Sequence, residues 1–368
     1  MSGSGEFLSG IALSRSLHAV VAPLLAERFP SLPYASALVG PGSEVLGFDT
    51  SRSTDHDWGP RLTLFLHPGD VEQCGEAISD ALSRHLPRSV RGWPTNFIRS
   101  GADQSSMPEP TEGPVDHRID ITDLGAWLID RLGSDAALGG EPDLLDWLSM
   151  PQQRLAEVTG GAVFHDGLGL LKPVRDRLTW YPEQVWRYLM ACQWAKLSQE
   201  EPFVARTAEV GDELGSAVVA ARQVREAMRL ALLMARRYAP YSKWLGTAFT
   251  RQVPDAAELA DPMRVALAAT GIAEREAALC EVYEALARRH NSLGLTAPLN
   301  PGRRRFFTRP FAVLDAGRFT AALYTSITDP RIRSLPPIGA VDQWADNTDF
   351  LDRVEAVRGP ACDPWQCA

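Results

Sequence analysis

The sequence has little cysteine, no excess of positive charge and no long apolar run, and each shortage closes off a class of protein. Its 5 cysteines among 368 residues, at positions 74, 192, 280, 362 and 367, are odd in number and scattered. That spacing fits neither a disulfide framework nor a metal site, so reduced thiols are expected, with Cys362 and Cys367 as tail residues. The 7 histidines show no His/His or Cys/His ligand spacing. No apolar stretch approaches the length of a bilayer span, and Met1-Ser2-Gly3-Ser4-Gly5-Glu6 lacks the basic region of a signal peptide, so a cytoplasmic chain without membrane contact is expected. Acidic residues outnumber basic ones, 46 to 37, for a formal net charge of −9. Sequence-independent nucleic-acid binding is driven by Lys and Arg releasing counterions from phosphates. This balance therefore argues against nucleic acid as a partner and against polymerase or tRNA-tailing activity. Repeats and low-complexity segments do not stand out.

What is present is a chain long enough for two or three domains, with 45% hydrophobic residues for their cores. Its most informative stretch is Pro41-Gly42-Ser43, followed after 11 residues by Asp55-His56-Asp57 and then by the apolar run Leu62-Thr63-Leu64-Phe65-Leu66. The preceding Tyr34 to Gly40 reads as a buried strand, which places Gly42 and Ser43 where a strand turns into a short helix. Unpaired N–H groups and a positive dipole at such a terminus suit a phosphate, and a glycine lets it approach closely. On an extended backbone Asp55 and Asp57, two residues apart, would project from one face. Two hard oxygen ligands there suit Mg²⁺, which takes one or two protein carboxylates plus water and phosphate oxygens. Aspartate is also common in solvated turns, so Asp-x-Asp by itself decides little. Pro60 after Gly59 implies a bulge or kink before the strand Arg61–Leu66.

The constellation Gly42-Ser43, gap, Asp55-x-Asp57 resembles the DNA polymerase β nucleotidyltransferase superfamily, whose pattern adds a third carboxylate on a neighbouring strand. The fuller strings from Gly42 to Asp49 and from Ser53 to Pro60 look like a bacterial group known as domain of unknown function 4037. That likeness continues through Tyr238-Ala239-Pro240-Tyr241-Ser242-Lys243-Trp244 and Val341-Asp342-Gln343-Trp344. The resemblance implies a nucleotidyl-transfer chemistry with two Mg²⁺ ions and ATP or another NTP as co-substrate; no substrate is assigned to the group.

The third carboxylate is expected in Val115-Asp116-His117-Arg118-Ile119-Asp120-Ile121. Asp120 between two isoleucines has the context of an acid anchored in a buried strand and facing a cleft, and Asp116 shares its face as the alternative. In the two-metal scheme Asp55 and Asp57 hold the nucleotide-side ion while Asp120 holds or orients the catalytic one. His56 should point to the opposite face and is read as structural.

The expected fold class is α+β: a nucleotidyltransferase core over residues 1–135, with a small mixed sheet and flanking helices, followed by an all-helical domain at 143–295. Residues 296–368 form a C-terminal extension packing on the others. In the core, helices are expected near 7–29 and 70–86, the latter capped by Asp70, and another beginning near Asp123; the Ser/Pro/Gly-rich 101–114 reads as an exposed loop. Helices are expected near 143–158, 182–199, 206–237, 240–250, 255–269, 272–292 and 316–327, with a small hairpin formed by 163–168 and 175–180.

By analogy with antibiotic nucleotidyltransferases, a helical domain would supply further contacts. Lys243 is the candidate triphosphate contact, against a lysine snorkelling from an aromatic-rich helix start. Glu213, in a helix that tolerates glycine, could take the acceptor's proton, against a charged pair near a helix start. Arg206 is either a phosphate clamp or an ion-pair member, and Tyr238 and Tyr241 read as packing. Arg303-Arg304-Arg305-Phe306-Phe307 invites a nucleic-acid reading, which the acidic chain disfavours against a solvated loop or anion contact. The acidic group around Asp342, Asp346 and Asp349 is assigned no chemistry. The function expected is Mg²⁺-dependent transfer of AMP from ATP to a hydroxyl of a small molecule, releasing pyrophosphate. The alternatives are a protein acceptor, as in antitoxin-like enzymes, and a nucleotide-binding sensor without turnover.

Overall fold

Arg61–Leu66 alternates Arg61, Thr63 and Phe65 with leucines, and it forms the centre of the molecule's main sheet. In the computed structural model, which describes residues 7–100, 105–353 and 357, the sheet has four strands: β1 (Ala35–Leu38), β2 (Arg61–Leu66), β3 (Arg118–Asp123) and β4 (Ala162–Asp166). Their order is β3-β2-β1-β4. β2 pairs parallel with β3, Arg61 opposite Arg118 and Thr63 opposite Asp120. β1 runs antiparallel to both β2 and β4. Because side chains alternate across a strand, Leu62, Leu64, Leu66 and Ile119 all fall on one face. There they form one core with Leu13, Leu17, Val21 and Leu25 of the helix Gly10–Arg28 and with Ile78 and Leu82 of the helix Pro68–His85. The other face carries Arg61, Thr63, Phe65, Arg118, Asp120 and Thr122, with Phe65 closed over by Trp127, whose ring lies edge-on at 5.4 Å. One face is thus a hydrophobic floor and the other, at its Arg61 end, is polar.

The chain divides into two compact units, Met1–Pro142 with Arg154–Thr179, and Asp143–Gln153 with Trp180–Ala368. This differs from the expected boundaries, because residues 154–179 return to the first unit. The hairpin expected there does not form: β4 instead completes the sheet beside β1, and Leu171–Leu178 is a helix. The helix expected to be capped by Asp70 begins two residues earlier, at Pro68, with Asp70 in its first turn. Proline suits that first position because its missing N–H would be unpaired there anyway. Part of the expected loop at 101–114 is strand, since Phe97–Ser100 pairs with Ser105–Pro108. Cys362 and Cys367 lie outside the described residues.

The second unit is built around the helix Glu183–Glu200, which buries residues on every side, including Trp186, Tyr188, Leu189, Met190, Trp194 and Leu197. A helix apolar all round belongs in a core. Packed beside it are the helices Glu213–Met234 and Gly317–Ser326. The long helix expected at 206–237 is interrupted at Gly211, whose φ of +81° is left-handed, and so appears as Phe203–Glu209 and Glu213–Met234.

Trp194 also fixes a buried histidine. Its indole N–H donates to Nδ1 of His290 at 3.2 Å, which leaves Nε2 to carry the proton and donate to Thr296 Oγ1 at 3.0 Å. Burial lowers the His290 pKa from 6.5 to about 4, and a proton on Nδ1 would face the indole N–H. Because the folded pKa lies below the unfolded one, this site's stability is fully present above pH 6.5 and is lost as pH falls through 4. The loss expected is about 3 kcal/mol, and urea titrations across that window should show a shallower slope in His290→Gln than in wild type.

Candidate active site

The turn between β1 and β2 is shaped by one buried ion pair. Arg61, the first residue of β2, donates from Nε to Glu44 Oε1 at 2.7 Å and from Nη2 to the Pro41 carbonyl. Both side chains are buried. Gly42 has a φ of +139°, and a Cβ there would lie 2.6 Å from both the Arg61 guanidinium and the Glu44 carboxylate. Glycine is thus required twice over, by backbone and by space. The expected short helix is a single turn over 43–47, closed by Val45 N to Gly42 O at 3.2 Å and Phe48 N to Ser43 O at 2.8 Å. The N–H groups of Gly42, Ser43 and Glu44 take no partner among the described residues. Three successive N–H groups without partners among the described residues, beside a buried arginine, are a donor set suited to an anion.

Asp55 and Asp57 are not on a strand, which corrects the expectation that both project from one extended face. Ser51–Asp55 is a 3-10 helix whose start is fixed by a Thr50/Ser53 capping box, and Asp57 has a left-handed φ of +50°. Asp55 is 68% exposed with His56 Nδ1 3.0 Å away. Asp57 exchanges backbone contacts with the strand Ser105–Pro108, donating from N to Ser106 O at 2.8 Å, while its Oδ1 accepts from Ser106 N at 3.0 Å. Arg118 Nη1 stands 3.4 Å from the same Oδ1, and the guanidinium lies over the Phe97 ring. Asp49, unremarked in the sequence, anchors the segment's other end by accepting from Gly10 N at 2.7 Å and Trp58 Nε1 at 3.2 Å.

Asp120 lies on β3, opposite Thr63 and two residues from Arg118 on the same face, and is exposed. Asp116 precedes the strand, where its N–H donates to Asn96 Oδ1. The Arg118 pKa is lowered by burial and by Arg61, with Asp57, Asp120 and Glu44 acting against that shift. Five charged groups therefore interact at one end of the polar face: Glu44, Arg61, Asp57, Arg118 and Asp120. Sequence reasoning missed Glu44, Arg61 and Arg118. The available signal was a charge opening an otherwise apolar strand, which needs a buried partner.

Among the described residues no three His, Cys, Asp or Glu side chains converge as a metal cage. Asp55, Asp57 and Asp120 are therefore not brought together as three ligands of one ion. Two exposed carboxylates, Asp55 and Asp57, still match what Mg²⁺ asks of a protein when phosphate oxygens and water complete its shell. The donors present fit a cation whose shell is completed by other oxygens better than a resident two-metal centre.

The remaining candidates belong to the second unit. Lys243 is exposed at the start of the helix Ser242–Gln252, its Nζ 5.2 Å from the Trp244 ring centre. Arg206 is exposed and lies over Phe203. Glu213 opens its helix, the placement of the charged-pair alternative, and its Oε2 is 3.3 Å from Nη1 of the buried Arg275. Tyr238 packs against Trp180 and Tyr181. The two C-terminal motifs meet at Gln152: its N–H donates to Asp342 Oδ2 at 2.9 Å, and its Oε1 accepts from Ala239 N at 2.9 Å. Gln343 bonds Leu189 O and Gln193 Oε1 from a buried position. These motifs tie the helical unit together.

No curated protein matches the chain. Among solved structures, one similar chain is a nucleotidyltransferase-like protein from Exiguobacterium sibiricum 255-15, at 13% identity and a TM-score of 0.32, over 86% of this chain and 91% of that one. Residues 147–245, a span that includes Arg206, Glu213 and Lys243 and lies outside the Gly42–Asp120 region, match the family model described as Domain of unknown function (DUF4037), the group that the sequence resembles.

Proposed function

We propose that this chain is a nucleotidyltransferase that moves AMP from ATP to a hydroxyl of a small molecule. The observation that carries the reading is the trio of free N–H groups at Gly42, Ser43 and Glu44, on the same sheet end as Arg61, Arg118, Asp57 and Asp120. The preference for ATP rests on the resemblance alone. The turn's donors bind phosphate oxygens, with Ser43 Oγ as a further donor, while the buried Arg61 holds the turn in shape. Asp55 and Asp57 would hold a Mg²⁺ ion bound to the triphosphate, which would supply neutralising charge. Arg118 offers a second, permanent cation for the charge that builds on the phosphates.

In the transfer, the acceptor oxygen forms a bond to the α-phosphorus as the bond from that phosphorus to the bridging oxygen breaks and pyrophosphate leaves. The hydroxyl proton passes to a carboxylate, and Asp120, exposed on the polar face, takes that role. Glu213 is left out, because Arg275 engages its carboxylate. Pyrophosphate release from each of the four NTPs, with Mg²⁺ and a panel of small hydroxyl acceptors, tests the reading. Acceptor-dependent release by wild type that falls at least about a hundredfold in Asp120→Asn is expected. Release unaffected by that change would contradict the assignment.

A further inference from the structure

The basic-aromatic run at 303–307 takes no part in the transfer chemistry, yet it builds a cavity. Arg304–Arg305 pairs antiparallel with Ala312–Val313, and the hairpin lines a space of about 480 Å³ together with Glu201, Asp315 and Gly317. A cavity of that size suits a ligand of nucleotide dimensions.

The charges around it do not balance. Glu201 spends its carboxylate on the backbone, accepting from Leu314 N and Asp315 N at Oε2 and from Ala316 N at Oε1, over 2.8–3.2 Å. Burial raises its pKa to about 7, against those three bonds. Asp315 is shared between Arg304 at 3.5 Å and Arg318 at 3.4 Å. The guanidinium of Arg305 pairs with nothing among the described residues, and Arg304 Nε is buried without a hydrogen-bond partner. Three arginines thus share one fully available carboxylate.

The aromatics are divided in the same way. Phe306 stacks on Phe311 with centroids 5.5 Å apart and joins the small core of Ala205 and Val313. Phe307 is 83% exposed and held at a φ of +53°, a conformation costly for a bulky side chain. Its ring touches Phe306 edge-on and leaves a face open to solvent.

We propose that this hairpin cavity binds a small ring-bearing phosphate of the nucleoside-monophosphate class, the phosphate on Arg305 and the ring stacked on Phe307. Arginine suits phosphate through its paired donors, and base–aromatic stacking needs no particular base. The proposal is separate from the transfer site and stands or falls without it.

Calorimetric titration with AMP tests it, with adenosine and inorganic phosphate as the two halves. Saturable AMP binding is expected, with each half at least about tenfold weaker. Arg305→Ala should weaken AMP about tenfold or more, and Phe307→Ala several-fold, with both variants melting as wild type since both side chains are exposed. No AMP binding at millimolar concentration, AMP binding unchanged in both variants, or phosphate binding as tightly as AMP would each overturn it.

Discussion

Glu44→Ala should cost the first unit about 3–5 kcal/mol, the largest stability loss expected from a single change near the turn. The substitution does more than remove a contact. Arg61 is buried, and its Nε has Glu44 as its carboxylate partner, so truncating Glu44 leaves a guanidinium with neither water nor counter-charge. Glu44→Gln keeps an oxygen for the Nε–H and should lose less, roughly 1–3 kcal/mol. Replacing both members with apolar residues of similar volume should cost less than the sum of the single changes, because no charge is then stranded. Gly42→Ala should act on the same clamp, since its methyl would sit 2.6 Å from both partners. Urea unfolding of the four variants, followed by tryptophan fluorescence, ranks them. Equal midpoints for Glu44→Ala and Glu44→Gln would mean that the buried pair does not hold the turn.

The second large effect concerns activity. Asp57→Asn should lower nucleotidyl transfer by about two to four orders of magnitude with little change in stability. Asparagine retains an oxygen to accept from Ser106 N, and the backbone bridge to Ser106 O is untouched, so the local conformation should persist. What disappears is the charge that faces Arg118 and that would help hold the nucleotide's cation. A drop in kcat with unchanged urea midpoint is the expected pattern. A drop in both would indicate that Asp57 acts mainly as a fastener for the strand Ser105–Pro108.

Much of the scaffold was readable from periodicity. The apolar run at 62–66 and the Ile119/Ile121 context of Asp120 mark two strands, and the structure pairs them directly. Helix signals in the second half are strong because the helices carry apolar positions at helical spacing, and two of the expected helices are split, 206–237 at the left-handed Gly211 and 143–158 into Leu144–Ser149 and Gln152–Thr159. Three things were not readable. The local backbone at Asp55-His56-Asp57 is set by the Thr50/Ser53 capping box and by pairing with Ser106, which lies 49 residues away. The Glu44–Arg61 pair joins residues 17 apart that no short-range rule connects. The return of β4 to the sheet depends on pairing with β1, and its five residues have no pattern that separates a sheet edge from a hairpin. The spacing of the acids was visible, but the geometry that decides which of them can share a cation was not.

The most direct measurement is a calorimetric titration of a non-hydrolysable ATP analogue, with and without Mg²⁺, into wild type and into the Asp57→Asn/Asp120→Asn double variant. It needs no acceptor, so it reports on the polar sheet end itself. The account predicts Mg²⁺-dependent binding by wild type and a loss of at least about tenfold in the double variant. Binding that ignores both Mg²⁺ and the two aspartates, or no binding at all, would contradict it.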